Sequence, residues 1–113
     1  MPRTGRLTST ADFRRTYTAG RRASTKAVVA HVLDTGESRP ARVGVSASRG
    51  LGGSVQRNRA KRRLREAIRP VRPALRPGVD AVFVATTGTR QVSFQDLVDS
   101  VEATALKAGA FDE

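Results

Sequence analysis

The stretch RNRAKRRLREAIRPVR, residues 57–72, holds eight basic side chains in sixteen positions and one acid, Glu66. Wound at about 100° per residue, Ala60, Leu64, Ala67, Ile68 and Val71 fall on one arc. Asn58, Lys61, Arg62, Arg65, Arg69 and Arg72 fall on another. One side of this helix can dock on a core while a second carries dense positive charge. A helix side that merely faces water mixes its signs, with Glu placed to pair with Lys or Arg four residues on. Most of those pairings are missing here, so the cations repel one another until an outside polyanion compensates them. Arginine forks match phosphate geometry, which points the charged side at nucleic acid.

Working back from this helix, Arg49-Gly50-Leu51-Gly52-Gly53-Ser54 is a glycine-rich connection, with Ser54 placed to cap the helix start. Exposed amides at such a start suit anions. The segment has neither the GxxxxGK[ST] nor the GxGxxG pattern of a nucleotide loop. Before it, KAVVAHVLD (26–34) and ARVGVSAS (41–48) read as strands joined by the turn residues GESRP (36–40), the second expected to return antiparallel to the first. Earlier still, Ser9 or Thr10 caps a first helix that runs to a stop at Gly20. Residues 1–7 read as a loose basic arm. Phe13 and Tyr17, four apart, share a helix face among Arg14, Arg15, Arg21 and Arg22. They either anchor the helix to the core or form an aromatic platform for unstacked bases, and one ring can do both. His31, inside the first strand, is either a packing residue or a site residue.

Beyond the basic helix, Pro70 and Pro73 end or bend it and Arg76-Pro77-Gly78 turns the chain. VDAVFVAT (79–86) is a continuous apolar run of the kind that forms a buried strand. Ser93-Phe94-Gln95-Asp96 resembles a capping box opening a last amphipathic helix to Ala108, with Leu97, Val98, Val101, Ala105 and Phe94 on its apolar face. The order is helix, strand, strand, basic helix, strand, helix. It predicts an α+β fold, a single two-layer α/β sandwich in which helices cover one side of a sheet and leave the other side, or a groove, open.

Length and charge agree. The 113 residues read as one RNA-binding domain, 1–113, with a modest core, a net charge of +11 and a pI near 11.7. Residues 1–90 hold 20 basic and 5 acidic side chains, a net of +15, whereas residues 91–113 hold one basic and five acidic, a net of −4. The polyanion surface therefore excludes the tail. There is no cysteine, which excludes disulfides, thiolate metal sites and cysteine nucleophiles. The start, MPRTGRLTSTADF, lacks the apolar stretch of a secretory signal, and no apolar run reaches membrane-span length. A cytoplasmic protein with no membrane partner is expected. Catalysis by the protein itself needs a positioned base, nucleophile or metal. The ten carboxylates are scattered, and Asp80, just ahead of a buried strand, is the one whose context invites a question. With His31 the only histidine, a catalytic triad or a His-rich metal site is not available. No catalytic residues are expected.

The segment VGVSASRGLGGSVQRNRAKRRLREAIR (43–69) resembles the protein subunit of bacterial ribonuclease P. Arg57, Asn58, Arg59, Lys61, Arg62, Arg65 and Glu66 match that family's basic helix position by position. Arg6-Leu7, then Phe13, Tyr17 and Gly20, then the strand with His31, then Pro77-Gly78-Val79-Asp80 and a closing Ser-Phe-x-x-Leu helix extend the likeness over nearly the whole chain. The resemblance implies a ribosomal-protein-domain-like fold with a left-handed βαβ crossover, against the right-handed rule. It implies removal of the 5′ leader from precursor tRNA by a catalytic RNA subunit and its Mg²⁺ ions. It implies that Arg49, Arg57, Asn58, Arg59, Lys61, Arg62 and Arg65 face the ribonuclease P RNA. Phe13, Tyr17, His31, Ser46 and Ser48 would line a cleft for the single-stranded leader of precursor tRNA. The chain departs from the family pattern at Arg49-Gly50, where two lysines are usual, at Gly53, where a lysine is frequent, and at His31, where an aromatic ring is common.

Two other classes compete. A basic ribosomal or RNA-chaperone protein would share the helix but need no leader cleft. A DNA-binding regulator places its recognition helix after another helix in a tight turn, whereas a strand and a glycine link precede it here, so no DNA partner is expected. An autonomous nuclease ranks last.

Overall fold

The computed structural model describes residues 5–112, so residues 1–4 of the expected loose arm lie outside the described residues. Helix α1 spans Thr10–Ala19, strand β1 Arg21–Ser24, β2 Val28–Asp34, β3 Arg42–Ala47, helix α2 Ser54–Ile68, β4 Val79–Ala85 and α3 Phe94–Lys107. Short 3-10 turns stand at Arg49–Leu51, Arg72–Ala74 and Thr87–Arg90.

The four strands make one sheet in the order β1-β2-β4-β3. β2 pairs antiparallel with β4, and β3 pairs parallel with β4. β3 thus runs antiparallel to β2, as expected, but the two are not neighbours, because β4 lies between them. The chain reaches β4 from β3 through α2, so β3, α2 and β4 form a crossover unit of the kind that parallel neighbours require. β1 is also new. It is four residues long with one buried side chain, Ala23, too short for an alternating pattern to be read.

Side-chain parity assigns the two faces of the sheet. Val28, Ala30 and Val32 of β2, Val43, Val45 and Ala47 of β3, and Val79, Ala81, Phe83 and Ala85 of β4 belong to or pack against the core. Ala60, Leu64, Ala67 and Ile68 of α2 and Leu97, Val101 and Ala105 of α3 close that core. Phe83 is fully buried at its centre, and burying such a side chain contributes about 3 kcal/mol. The opposite parity brings His31, Asp80, Val82, Arg42, Gly44 and Ser46 to the other face, where α1 lies. The core is thus sheet plus α2 and α3, and α1 sits across the second face rather than leaving it bare.

Local chemistry explains the element ends. Ser9 caps α1, its Oγ accepting from the Asp12 N–H, and Ser93 caps α3 through the Asp96 N–H. At Gly20, a Cβ would stand 2.5 Å from the Thr16 carbonyl oxygen and 2.9 Å from that of Val32, so glycine lets α1 stop directly against β2. Ser54 does not cap α2. It is the first helical residue, preceded by Gly53, which supplies no side-chain bond. Phe94 is 45 % exposed and lies outside the buried side of α3, where Thr104 takes a place instead. Residues 5–7 are not loose: the Val43 N–H donates to the Gly5 carbonyl and the Leu7 N–H to the Val43 carbonyl, and Leu7 is buried.

Candidate nucleic-acid interface

The guanidinium groups fall into two populations. Arg39 and Arg42 are drawn inward by Asp80, whose carboxylate is fully buried beside β3. Arg42 grips both carboxylate oxygens at 3.0 and 2.8 Å and Arg39 one at 2.9 Å. Arg42 also reaches Asp12 on α1, and Arg15 pairs with Asp12. Burial pushes the Asp80 carboxyl up, but the hydrogen bonds and charges of Arg42 and Arg39 outweigh it and hold it below the usual carboxylate range. The question raised by Asp80 in the sequence is thereby answered: it clamps α1, β3 and the 35–41 loop to β4.

The second population stays in solvent. Arg57, Asn58, Arg59, Arg62 and Arg65 on α2 are exposed, Lys61 is partly so, and Arg49 is exposed on the short turn before the helix. Among the described residues none of these cations meets a carboxylate within ion-pair distance. Asn58, Lys61, Arg62, Arg65 and Arg69 share an arc of about 100°. Arg59 projects further round, beside Glu66, and Arg57 extends past the end of the buried side. Arg63 turns the other way, donating to the Val92 carbonyl at 2.8 Å and lying 5.9 Å from the Phe94 ring centroid. Buried Leu64 and Ala67 set this partition, since docking them fixes the rotation of every cation on the helix.

On the α1 side of the sheet, four of the five expected leader residues meet. Phe13 and Tyr17 ring centroids lie 6.2 Å apart, and Tyr17 meets His31 edge-on at 4.9 Å. The Tyr17 hydroxyl and Ser46 Oγ are 2.8 Å apart. Tyr17 is 40 % exposed, so its ring is anchored yet open to a ligand. A Cβ on Gly44 would stand 2.5 Å from Phe13 Cζ, which places the ring tip over that glycine. Ser48 does not join this cluster. It precedes the 49–51 turn, with its N–H on the Ala85 carbonyl. Arg22, one of the cations the sequence places about the two rings, is set opposite His31 by the strand register. Burial, with the Arg22 charge adding to it, lowers the His31 pKa, which keeps the imidazole neutral at neutral pH. Its Nδ1 is buried without a partner.

No three His, Asp or Glu side chains among the described residues stand together as a metal site. The acids nearest the cleft, Asp12 and Asp80, are already spent on arginines. No helix among the described residues is long and apolar enough to cross a membrane.

A sheet entered through a basic crossover helix, with an aromatic cleft on its far face, defines a class of small basic α+β proteins. Residues 1–109 match the family model described as Ribonuclease P. The chain is 41 % identical over 109 residues to the ribonuclease P protein component of Symbiobacterium thermophilum, covering 96 % of this chain and 95 % of that one. It is 39 % identical over 108 residues to that of Gluconacetobacter diazotrophicus, covering 95 % and 93 %. The solved structure of the Staphylococcus aureus RNase P protein superposes with a TM-score of 0.79 at 25 % identity, covering 97 % of this chain and all of that one. The Thermotoga maritima RNase P protein shares the fold, with a TM-score of 0.73 at 20 % identity over 96 % and 98 % of the two chains. The chain belongs to the ribonuclease P protein component family, the protein subunits of a tRNA-processing ribonucleoprotein whose partner is the ribonuclease P RNA.

Proposed function

We propose that this chain binds the ribonuclease P RNA through Arg49 and the exposed cations of α2, and holds the 5′ leader of precursor tRNA in the Phe13–Tyr17–His31–Ser46 cleft. The observation that carries this reading is the sorting of the arginines. A fold that supplies Asp80 and Asp12 to neutralise Arg42, Arg39 and Arg15 leaves Arg57, Arg59, Lys61, Arg62 and Arg65 without an acid in ion-pair reach among the described residues. Such a helix is stabilised by phosphates, which accept charge-assisted bonds from arginine forks. The exposed Tyr17 ring supports a single-stranded ligand, whose unstacked bases can lie on aromatic faces.

Cleavage itself is assigned to the RNA subunit and to the Mg²⁺ ions bound mainly by it; the described part of the cleft holds one imidazole, His31, and no carboxylate cluster to work with it. The protein's part is affinity and positioning. The test is reconstitution. The purified chain alone leaves precursor tRNA intact; added to a bacterial ribonuclease P RNA at low Mg²⁺, it restores leader removal. Binding to that RNA no tighter than to random duplex would favour the RNA-chaperone reading instead.

A further inference from the structure

A groove of about 550 Å³ lies at the open edge of β3, between the last turns of α2 and the segment that precedes α1. Its lining includes four arginines, Arg6, Arg65, Arg69 and Arg72, together with Val43, Gly44 and Val45 of β3. It stands beside the aromatic cleft but apart from it, since Phe13 and Leu7 both pack over Gly44 and wall the two off. We propose that this groove is a second binding site for single-stranded RNA, with arginines taking the phosphodiesters and the β3 edge taking a base.

Three features converge on that ligand. The charge comes first. Glu66, paired with Arg69 at 3.2 Å and itself exposed, is the one acid among the described residues engaged with the four arginines, so they keep a net excess of three positive charges. Second, Arg72 donates to the Gly5 carbonyl, strapping down the segment that carries Arg6. Gly5 has φ of 84°, and a Cβ there would meet Arg72 Nη2 at 2.6 Å. The strap thus has a defined conformation that keeps Arg6 in the lining that Arg65 and Arg69 share.

Third, the edge of β3 is only half used. The parallel register points the N–H and C=O of Val43 and Val45 away from β4. Those of Val43 are taken by Gly5 and Leu7, while those of Val45 meet no partner among the described residues. One donor and one acceptor on a single residue complement the adjacent donor and acceptor on a base edge. An acidic peptide adding a strand could use the same edge. Of the unpaired edge residues Val45 and Ala47, only Val45 lines the groove, too short a ladder for that, and four forked cations favour phosphates.

The inference rests on the RNA-binding reading above, and its test separates the two. The full chain and an R6Q/R69Q variant are titrated with a short mixed-sequence single-stranded RNA over a range of salt. Removing the cations that hold two phosphates flattens the slope of log K against log salt by about 1.4. The R90Q/K107Q variant, with the same change in charge on other elements, keeps the slope of the parent. In the unmutated chain the Val45 amide resonance moves on adding the RNA, a readout that needs no variant.

Repeating the titration with ribonuclease P RNA alone and with leader-bearing tRNA tells which of the two supplies the strand. An unchanged slope with both, or equal slope losses in the two variants, overturns the site. So does a Val45 amide that answers to an acidic peptide and not to RNA. Restored leader cleavage at low Mg²⁺ together with an unchanged groove slope would leave the proposed function standing and remove this site alone.

Discussion

The Tyr17 hydroxyl and Ser46 Oγ lie 2.8 Å apart, joining α1 to β3 across 29 positions of chain. This hydrogen bond holds the exposed ring upright over the sheet face that also carries His31 and Gly44. Tyr17 therefore has two separable parts, a hydroxyl that orients it and a ring that offers a stacking surface.

Replacing Tyr17 by Ala should weaken binding of leader-bearing precursor by roughly 1–3 kcal/mol if a base stacks there, with mature tRNA unaffected. Tyr17→Phe keeps the ring and loses only the tie to Ser46, so its cost should stay near 0.5–1 kcal/mol. Dissociation constants for the two tRNAs measure both effects. Equal losses for precursor and mature tRNA would make the ring a packing residue and nothing more.

Arg57→Ala and Arg62→Ala remove exposed cations that no acid among the described residues engages. Each should lower affinity for ribonuclease P RNA and reduce the salt slope by about 0.9 for every phosphate that is no longer neutralised. Thermal stability should stay within about 0.5 kcal/mol of the parent, as for other surface changes. Filter binding across a salt series, beside a melting curve, checks the pair of outcomes.

Asp80→Asn leaves Arg39 and Arg42 facing a neutral amide. Breaking a buried ion pair costs about 3–5 kcal/mol, and the partial exposure of both arginines lowers the expectation to about 2–3 kcal/mol. A lower urea midpoint at constant m reports it. The pH sign follows from the depressed carboxyl of the folded state: its contribution is present above 3.8 and is lost as pH falls below that value toward the folded pKa. Asp80→Asn should abolish that acid-side component.

His31 runs on a different window. Its folded pKa lies below the ordinary 6.5, so the unfolded chain takes up the proton first as pH falls. Stability from this group is complete above 6.5 and drains away between 6.5 and the lower folded pKa. His31→Phe should flatten the unfolding free energy across that window. A profile that keeps its slope in the variant would assign the effect to another group.

The legible part of this protein was whatever repeats along the chain. Ala60, Leu64 and Ala67 at helical spacing announced both α2 and its cationic side, and Val79 to Ala85 announced a strand buried on both faces. The four-residue spacing of Phe13 and Tyr17 placed two rings on one side of α1. His31 and Ser46 could join them only through the resemblance to the family, because residues far apart in the chain share a face by sheet register and not by period.

Composition and periodicity by themselves determined the three helices, three of the four strands, the cationic side of α2 and the exclusion of cysteine or triad chemistry. Each of those depends on residues a few positions apart, where the backbone geometry is known in advance. Tertiary structure alone decided that β4 lies between β2 and β3, that RRAS forms an edge strand, and that α1 covers the face opposite α2. It also sorted the arginines: Arg42 and Arg39 around Asp80, Arg63 onto Val92 and Phe94, Arg72 onto Gly5, Arg76 onto Asp34 and Gly109, and Arg57, Arg59, Arg62 and Arg65 to solvent. A guanidinium looks the same in any sequence, and only the distance to a carboxylate or carbonyl elsewhere in the chain distinguishes one that braces the fold from one free to meet a phosphate.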